Sequence, residues 1–141
     1  MKTEGNLKPN KFTIEYKDRN KCDLIFCDNI IETQENEEIK YTYDMYRITI
    51  NSRANLEQML ENEKEYTKWL ELAKKEEYNK LAEEVRAKRD ILLTETDWTQ
   101  VTDTALTKEE QAKYKEYRQK LRDIPEQEEF PYNVKFPSID E

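Results

Sequence analysis

Carboxylates are the abundant reactive groups in this chain. Glu57, Glu61, Glu63 and Glu65 crowd one stretch, and Glu126, Glu128 and Glu129 another. Carboxylate pairs do acid–base work when their surroundings push their pKa values apart. They hold calcium when a turn glycine shapes an Asp-rich loop. Asp97 and Asp103 lie in a Thr-rich stretch with no glycine near them, and the glutamate runs read as a solvated acidic face. Histidine is absent, which removes the Ser–His and Cys–His nucleophile schemes and the commonest metal ligand. One glycine, Gly5, leaves no phosphate-cradling loop or dinucleotide fingerprint. Cys22 and Cys27 sit five apart in a strand-like run, an odd offset that points their side chains to opposite faces. Two thiols without histidine do not make a zinc site. The chain is therefore expected to be no enzyme, with no catalytic residue, no metal and no cofactor.

What remains is contact. Of the 141 residues, 40% are charged and 35% hydrophobic, against about a quarter and 45–50% in an average globular protein. The core must be thin for the length: one domain, or a small domain with a helical arm. Aromatics at 11% supply packing all the same. The net charge of −8 repels phosphate backbones and anionic lipid, so no nucleic acid and no membrane partner is expected. No apolar run nears the ~20 residues of a membrane span. Residues 1–6 have no apolar signal core, so the chain is expected to stay in the cytoplasm where it is made.

The elements follow from periodicity. Residues 1–10 read as a loose lead-in, and 11–53 as a small sheet. Phe12, Ile14 and Tyr16 alternate with polar neighbours, as in a half-buried strand. Asp18-Arg19-Asn20 is a turn. Cys22–Ile31 is a second strand with a bulge or break at Asp28-Asn29. Thr33–Glu38 reads as a loop, and Ile39–Ile50 as the third strand, with Tyr46, Ile48 and Ile50 on one face and Tyr43, Met45 and Arg47 on the other. The expected fold class is α+β: a three-stranded antiparallel β-meander, one long amphipathic helix over 54–93, then a helix-loop-helix with an extended aromatic-Pro tail. Ser52 or Asn55 caps the long helix. Leu56, Met59, Leu60, Tyr66, Leu70, Ala73, Tyr78, Leu81, Val85 and Leu92 fall within a band roughly 140° wide. At about 1.5 Å per residue the helix reaches on the order of 55–60 Å, more than a three-stranded sheet covers. The surplus stripe meets the C-terminal segment, solvent or a second copy in a homodimer; a break near Lys74–Glu77 is the alternative. Thr94–Ala105 is an ordered loop pinned by Trp98. Thr107 and Glu110 form a capping box. Tyr114, Tyr117, Leu121 and Ile124 recur at helical spacing, and the helix stops before Pro125.

Several uncommon pieces then stand in a fixed order: Arg89-Asp90-Ile91-Leu92-Leu93-Thr94-Glu95-Thr96-Asp97-Trp98, the capped start at Thr107, Tyr117-Arg118-Gln119-Lys120-Leu121-Arg122-Asp123-Ile124-Pro125, and the pairs Phe130-Pro131 and Phe136-Pro137. This stretch, 89–137, resembles the phage tail assembly chaperone family. That family usually ends on Trp-Pro where this chain has Phe136-Pro137, which keeps an aromatic anchor without the indole donor. The resemblance implies a helper in tail or tail-fibre assembly, acting in the cytoplasm of the bacterial host or retained in the tail particle. The implied partner is a tail, baseplate or tail-fibre protein. Trp98, Tyr117, Arg118, Phe130 and Phe136 are the partner-binding candidates. Each also has a fold-determining reading. Arg89 or Arg118 can pair with Asp97, Asp103 or Asp123 to tie the loop to the last helix, with Trp98 filling the corner. The alternative role is a structural adaptor that stays in the tail through its long helix.

Overall fold

In the computed structural model, which describes residues 1–140, the chain forms two compact units, Met1–Glu77 and Tyr78–Glu141. The first unit is a four-stranded antiparallel sheet with helical cover. Its strands are β1 (Lys2–Gly5), β2 (Phe12–Tyr16), β3 (Lys21–Glu35) and β4 (Glu38–Asn51), in the order β1-β4-β3-β2. β2, β3 and β4 pair in sequence. The lead-in is not loose: Lys2–Gly5 adds a fourth strand along β4, with Lys2 opposite Asp44 and Gly5 opposite Tyr41. An edge strand needs only backbone partners, so its polar side chains carry no alternating signal.

Turn chemistry sets the register. Asp18 Oδ1 accepts from the amides of Asn20 and Lys21 at 2.6 and 2.8 Å and closes the β2–β3 turn. At Asp28–Ile31 the β3–β4 register slips, with Asn29 left-handed at φ 50°. The bulge expected at Asp28-Asn29 is there. The loop expected over 33–38 is instead a two-residue turn, since Glu35 pairs with Glu38. Asn36 and Glu37 take φ of 49° and 68°, the double left-handed geometry whose twist suits a hairpin.

One sheet face carries Phe12, Ile14, Cys22, Leu24, Phe26, Tyr46, Ile48 and Ile50, which pack against Leu56, Met59, Leu60, Tyr66, Trp69, Leu70 and Ala73. Phe26 meets Tyr66 edge-on, with centroids 5.5 Å apart. The opposite face carries a polar cluster beside the buried Ile25. Arg47 Nη1 binds Asp23 Oδ2 at 2.7 Å and Glu15 Oε2 at 3.1 Å, while Thr49 Oγ1 donates to Asp23 Oδ1 at 2.6 Å and Lys17 Nζ lies 3.1 Å away. Burial pushes the Asp23 carboxyl up, but the hydrogen bonds from Thr49, Arg47 and Lys17 outweigh it and hold the pKa below the usual aspartate value. Asp28 is likewise lowered, chiefly by the Lys74 ammonium at 2.8 Å. Both cysteines are free thiols, Cys22 in the core and Cys27 half-buried, and burial raises the Cys27 pKa.

The helix expected over 54–93 is two. α1 (Leu56–Glu61) starts after Asn55, which is left-handed and makes no side-chain cap. The chain turns extended at Asn62, then α2 runs from Glu63 to Glu95 without the interruption considered near Lys74–Glu77. Asn62 Oδ1 accepts from the Lys64 and Glu65 amides at 3.0 and 3.2 Å, a cap on orphan donors. The boundary between the units falls inside α2.

In the second unit, α2 from Tyr78 onward is followed by a 3-10 turn (Asp97–Gln100), α3 (Lys108–Arg122) and a second 3-10 turn (Ile124–Glu126). The capping box forms as its spacing predicts: the Glu110 amide donates to Thr107 Oγ1 at 3.1 Å, and the Thr107 amide to Glu110 Oε2 at 2.8 Å. Leu121 and Ile124 are buried. The tail is not simply extended. Residues 128–132 run through turns, and the Phe130-Pro131 bond is cis. Gln127 then clasps the Lys135 backbone through both its amide nitrogen (2.8 Å) and its oxygen (2.9 Å).

Candidate protein-binding site

α2 ends where polar side chains take over its last carbonyls. Thr96 Oγ1 donates to Leu92 O at 2.8 Å and to Leu93 O at 3.1 Å. Arg118 reaches across from α3 to donate to Leu93 O (2.5 Å), Thr96 Oγ1 (2.8 Å) and Asp97 Oδ1 (2.7 Å). Of the ion pairs open to Arg118 in the sequence, the structure forms the one with Asp97, while Arg89 pairs with its neighbour Asp90. Thr99 is fully buried and bonds back to Thr96 O at 2.6 Å. Gln100 and Gln111 lace the turn to α3 through Gln111 O (3.4 Å) and Val101 O (3.2 Å).

This framework corrects the expectation for Trp98. The ring does not fill the corner; it is 53% exposed. Thr99 fills it, because a small hydroxyl can satisfy itself on a carbonyl in a space too polar for an indole. Trp98 lies against Tyr114 at 6.1 Å between centroids, tilted by 56°, and Val101, which ends the same turn, is also exposed. The ring thus stands on a hydrogen-bonded turn with about half of its surface open.

The other candidates divide. Arg118 is 9% exposed and its guanidinium is committed to the corner. Tyr117 is half-buried on α3 and lines a shallow groove with Lys120 and Ile139. Phe130 lies edge-on to Tyr78 at 6.3 Å, with the Arg86 guanidinium 5.4 Å from its ring, and Phe136 sits under the Lys88 ammonium at 4.3 Å. The tail rings thus rest on α2 through cation–π and edge contacts. Tyr132, whose ring lies 6.3 Å from Tyr78, is more exposed than either phenylalanine. Tyr114 and Val101 were absent from the sequence-derived site. Tyr114 stood in the apolar stripe of α3, and nothing in the pattern said that its partner would be Trp98. Among the described residues, no three of His, Cys, Asp and Glu converge in a way that could hold a metal, and no helix is long and apolar enough to cross a membrane.

Residues 82–139 match the family model described as phage tail assembly chaperone protein. The match spans the second part of α2, the Trp98 turn, α3 and the tail, and it contains the whole stretch on which the sequence resemblance rests. No curated protein and no solved structure matches the chain significantly.

Proposed function

We propose that this chain is a tail assembly chaperone that binds a phage tail, baseplate or tail-fibre protein and shields it until it assembles. The observation that carries the reading is the exposed Trp98 ring, backed by the half-buried Tyr114 and set on a polar framework inside the segment that matches the family. Tail proteins must expose apolar or strand-edge surface before they polymerise, and such surface aggregates. A partner that offers a pre-positioned aromatic anchor covers it without first ordering a loop. The charge of −8 keeps the complex dispersed. No chemical step is involved, and the protein acts in the cytoplasm of the bacterial host.

The test is co-expression of this chain with each tail protein encoded beside it. The expected result is a client that is soluble with the chain and aggregated without it. Trp98→Ala should keep its helix content, because the ring is half out of the fold, yet weaken client binding by about 2 kcal/mol, some thirtyfold. A client equally soluble without the chain overturns the proposal. So does a Trp98→Ala chain that protects as well as the parent. Mass analysis of purified particles then separates release from retention as a structural adaptor.

A further inference from the structure

α3 is positive in a negative protein. Lys108–Arg122 holds six cations against three glutamates, while the whole chain carries −8. Lys120 pairs with Glu116 at 3.3 Å, and Arg118 with Asp97. Lys115 and Arg122 pair with no carboxylate among the described residues; Arg122 makes one long bond, 3.4 Å, to the Gln119 side chain. Both line a groove of about 550 Å³ together with Gln100, Ala112, Arg118 and Gln119. The remaining lining carboxylate, Glu116, is the one neutralised by Lys120.

A last-turn cation such as Arg122 also complements the helix dipole. The dipole does not account for Lys115, two turns earlier, nor for the third observation. Arg118 is nine-tenths buried and lines the same groove, and its Nε–H has no acceptor among the described residues. A buried donor without a partner is costly and marks a place where an acceptor is missing. Around the helix, Gln111, Lys115, Arg118 and Arg122 fall on one side, next to the Tyr114 position that meets Trp98.

We infer that this groove takes an acidic segment of the client polypeptide, with the aromatic anchor at its flank. The inference rests on the chaperone reading and specifies its chemistry. Lys115 and Arg122 are seven residues apart, about 10 Å along the helix. That matches carboxylates two helical turns apart, or three residues apart on an extended strand. Ala112 and the aliphatic stems of the cations give the floor an apolar character, so the segment carries an apolar residue between its acids. Nucleic acid also offers anions, but it would have to approach a chain of net −8, whereas a short acidic segment need only meet the local strip.

The probe is a fluorescein-labelled dodecapeptide with Glu at every third position and Leu and Ala between, followed by anisotropy. Controls are the same peptide with Gln for Glu, and a single-stranded oligonucleotide of equal charge. The acidic peptide should bind, and binding should weaken severalfold as salt rises from about 0.05 to about 0.3 M. K115E/R122E changes two exposed side chains and should lower the melting temperature by only a few degrees, from the lost dipole partner at Arg122, while weakening the peptide roughly tenfold. Equal binding of the Gln peptide, preference for the oligonucleotide, no binding at all, or an unaffected K115E/R122E overturns the inference. Client co-expression separates the two claims. If K115E/R122E protects the client as the parent does while Trp98→Ala fails, the acidic-segment inference falls and the chaperone reading stands. If the parent protects no tail protein, the chaperone reading falls and the peptide titration decides the groove by itself.

Discussion

Replacing Arg118 should undo the corner that holds Trp98. The guanidinium makes three bonds, to Leu93 O, Thr96 Oγ1 and Asp97 Oδ1. Hydrogen bonds to a charged group are each worth about 1.5–3 kcal/mol net, but the three do not contribute equally. Asp97 is 64% exposed, so its ion pair gives at most about 1 kcal/mol, and losing Arg118 strands no buried charge. The bonds to Leu93 O and Thr96 Oγ1 are part-buried and carry most of the rest. Arg118→Ala should therefore cost about 2–4 kcal/mol. A unit of this size has a total stability of about 3–10 kcal/mol, so the change takes a large share of it. The assay can be local, because the two tryptophans lie one in each unit: Trp69 in the first, Trp98 in the second. In a Trp69→Phe background, urea unfolding followed by Trp98 fluorescence reads the second unit. The expected result is an earlier transition for Arg118→Ala and an intermediate one for Arg118→Lys, which keeps the charge but not the planar fork. An Arg118→Ala transition within about 0.5 kcal/mol of the parent would refute the claim that this side chain holds the corner.

The first unit offers sharper single-site tests. Asn62→Ala removes the α2 cap and should lower stability by about 1 kcal/mol in urea titration. Glu37→Gly should raise the melting temperature by a few degrees, because relief at φ 68° exceeds the added chain entropy by about 0.5–1 kcal/mol. Asp23 and Asp28 both have folded pKa values below the unfolded one. The unfolded chain therefore binds more protons, and stability falls as pH drops. Their contribution is whole above the unfolded aspartate pKa, near 3.9, and is lost as pH falls through the folded values. Urea midpoints should hold from about pH 6 to about pH 4 and fall below that, and fall less in Asp23→Asn.

Side-chain pattern foretold what side chains decide. Alternation at Phe12, Ile14 and Tyr16 placed β2, the Asp28-Asn29 pair marked the bulge, and Thr107 with Glu110 marked the start of α3. Elements held by backbone alone left no such trace. β1 is Lys2-Thr3-Glu4-Gly5, polar throughout, and is defined by its pairing with β4. The hairpin turn carries no sequence signal because Asn36-Glu37 lacks the glycine that usually announces left-handed geometry, and the break at Asn62 carries none because neither glycine nor proline stands there. At the candidate site, spacing named Arg118 and three acidic partners but could not choose Asp97 among them. Nor could it tell a tryptophan inside a corner from one lying on it, since both need the same neighbours in sequence.

That last ambiguity resolves on how the corner is stabilised. A corner filled by apolar bulk would have taken the indole. Here Arg118, Thr96, Thr99, Gln100 and Gln111 close it with directional bonds to backbone carbonyls, and a threonine occupies its buried position. Directional bonds hold the backbone of Asp97–Gln100 without covering Trp98, so the ring stays accessible while its attachment stays fixed. Stability and recognition are then coupled through one residue. Loosening the turn at Arg118 frees the indole to sample other rotamers, and client affinity should fall even though Arg118 itself is buried. Arg118→Ala should weaken the client beyond what its folded fraction explains, whereas Asn62→Ala, which acts on the first unit, should change client affinity only through the folded fraction. Equal residual affinities in the two variants, after correction for folded fraction, would show that the turn does not position the ring.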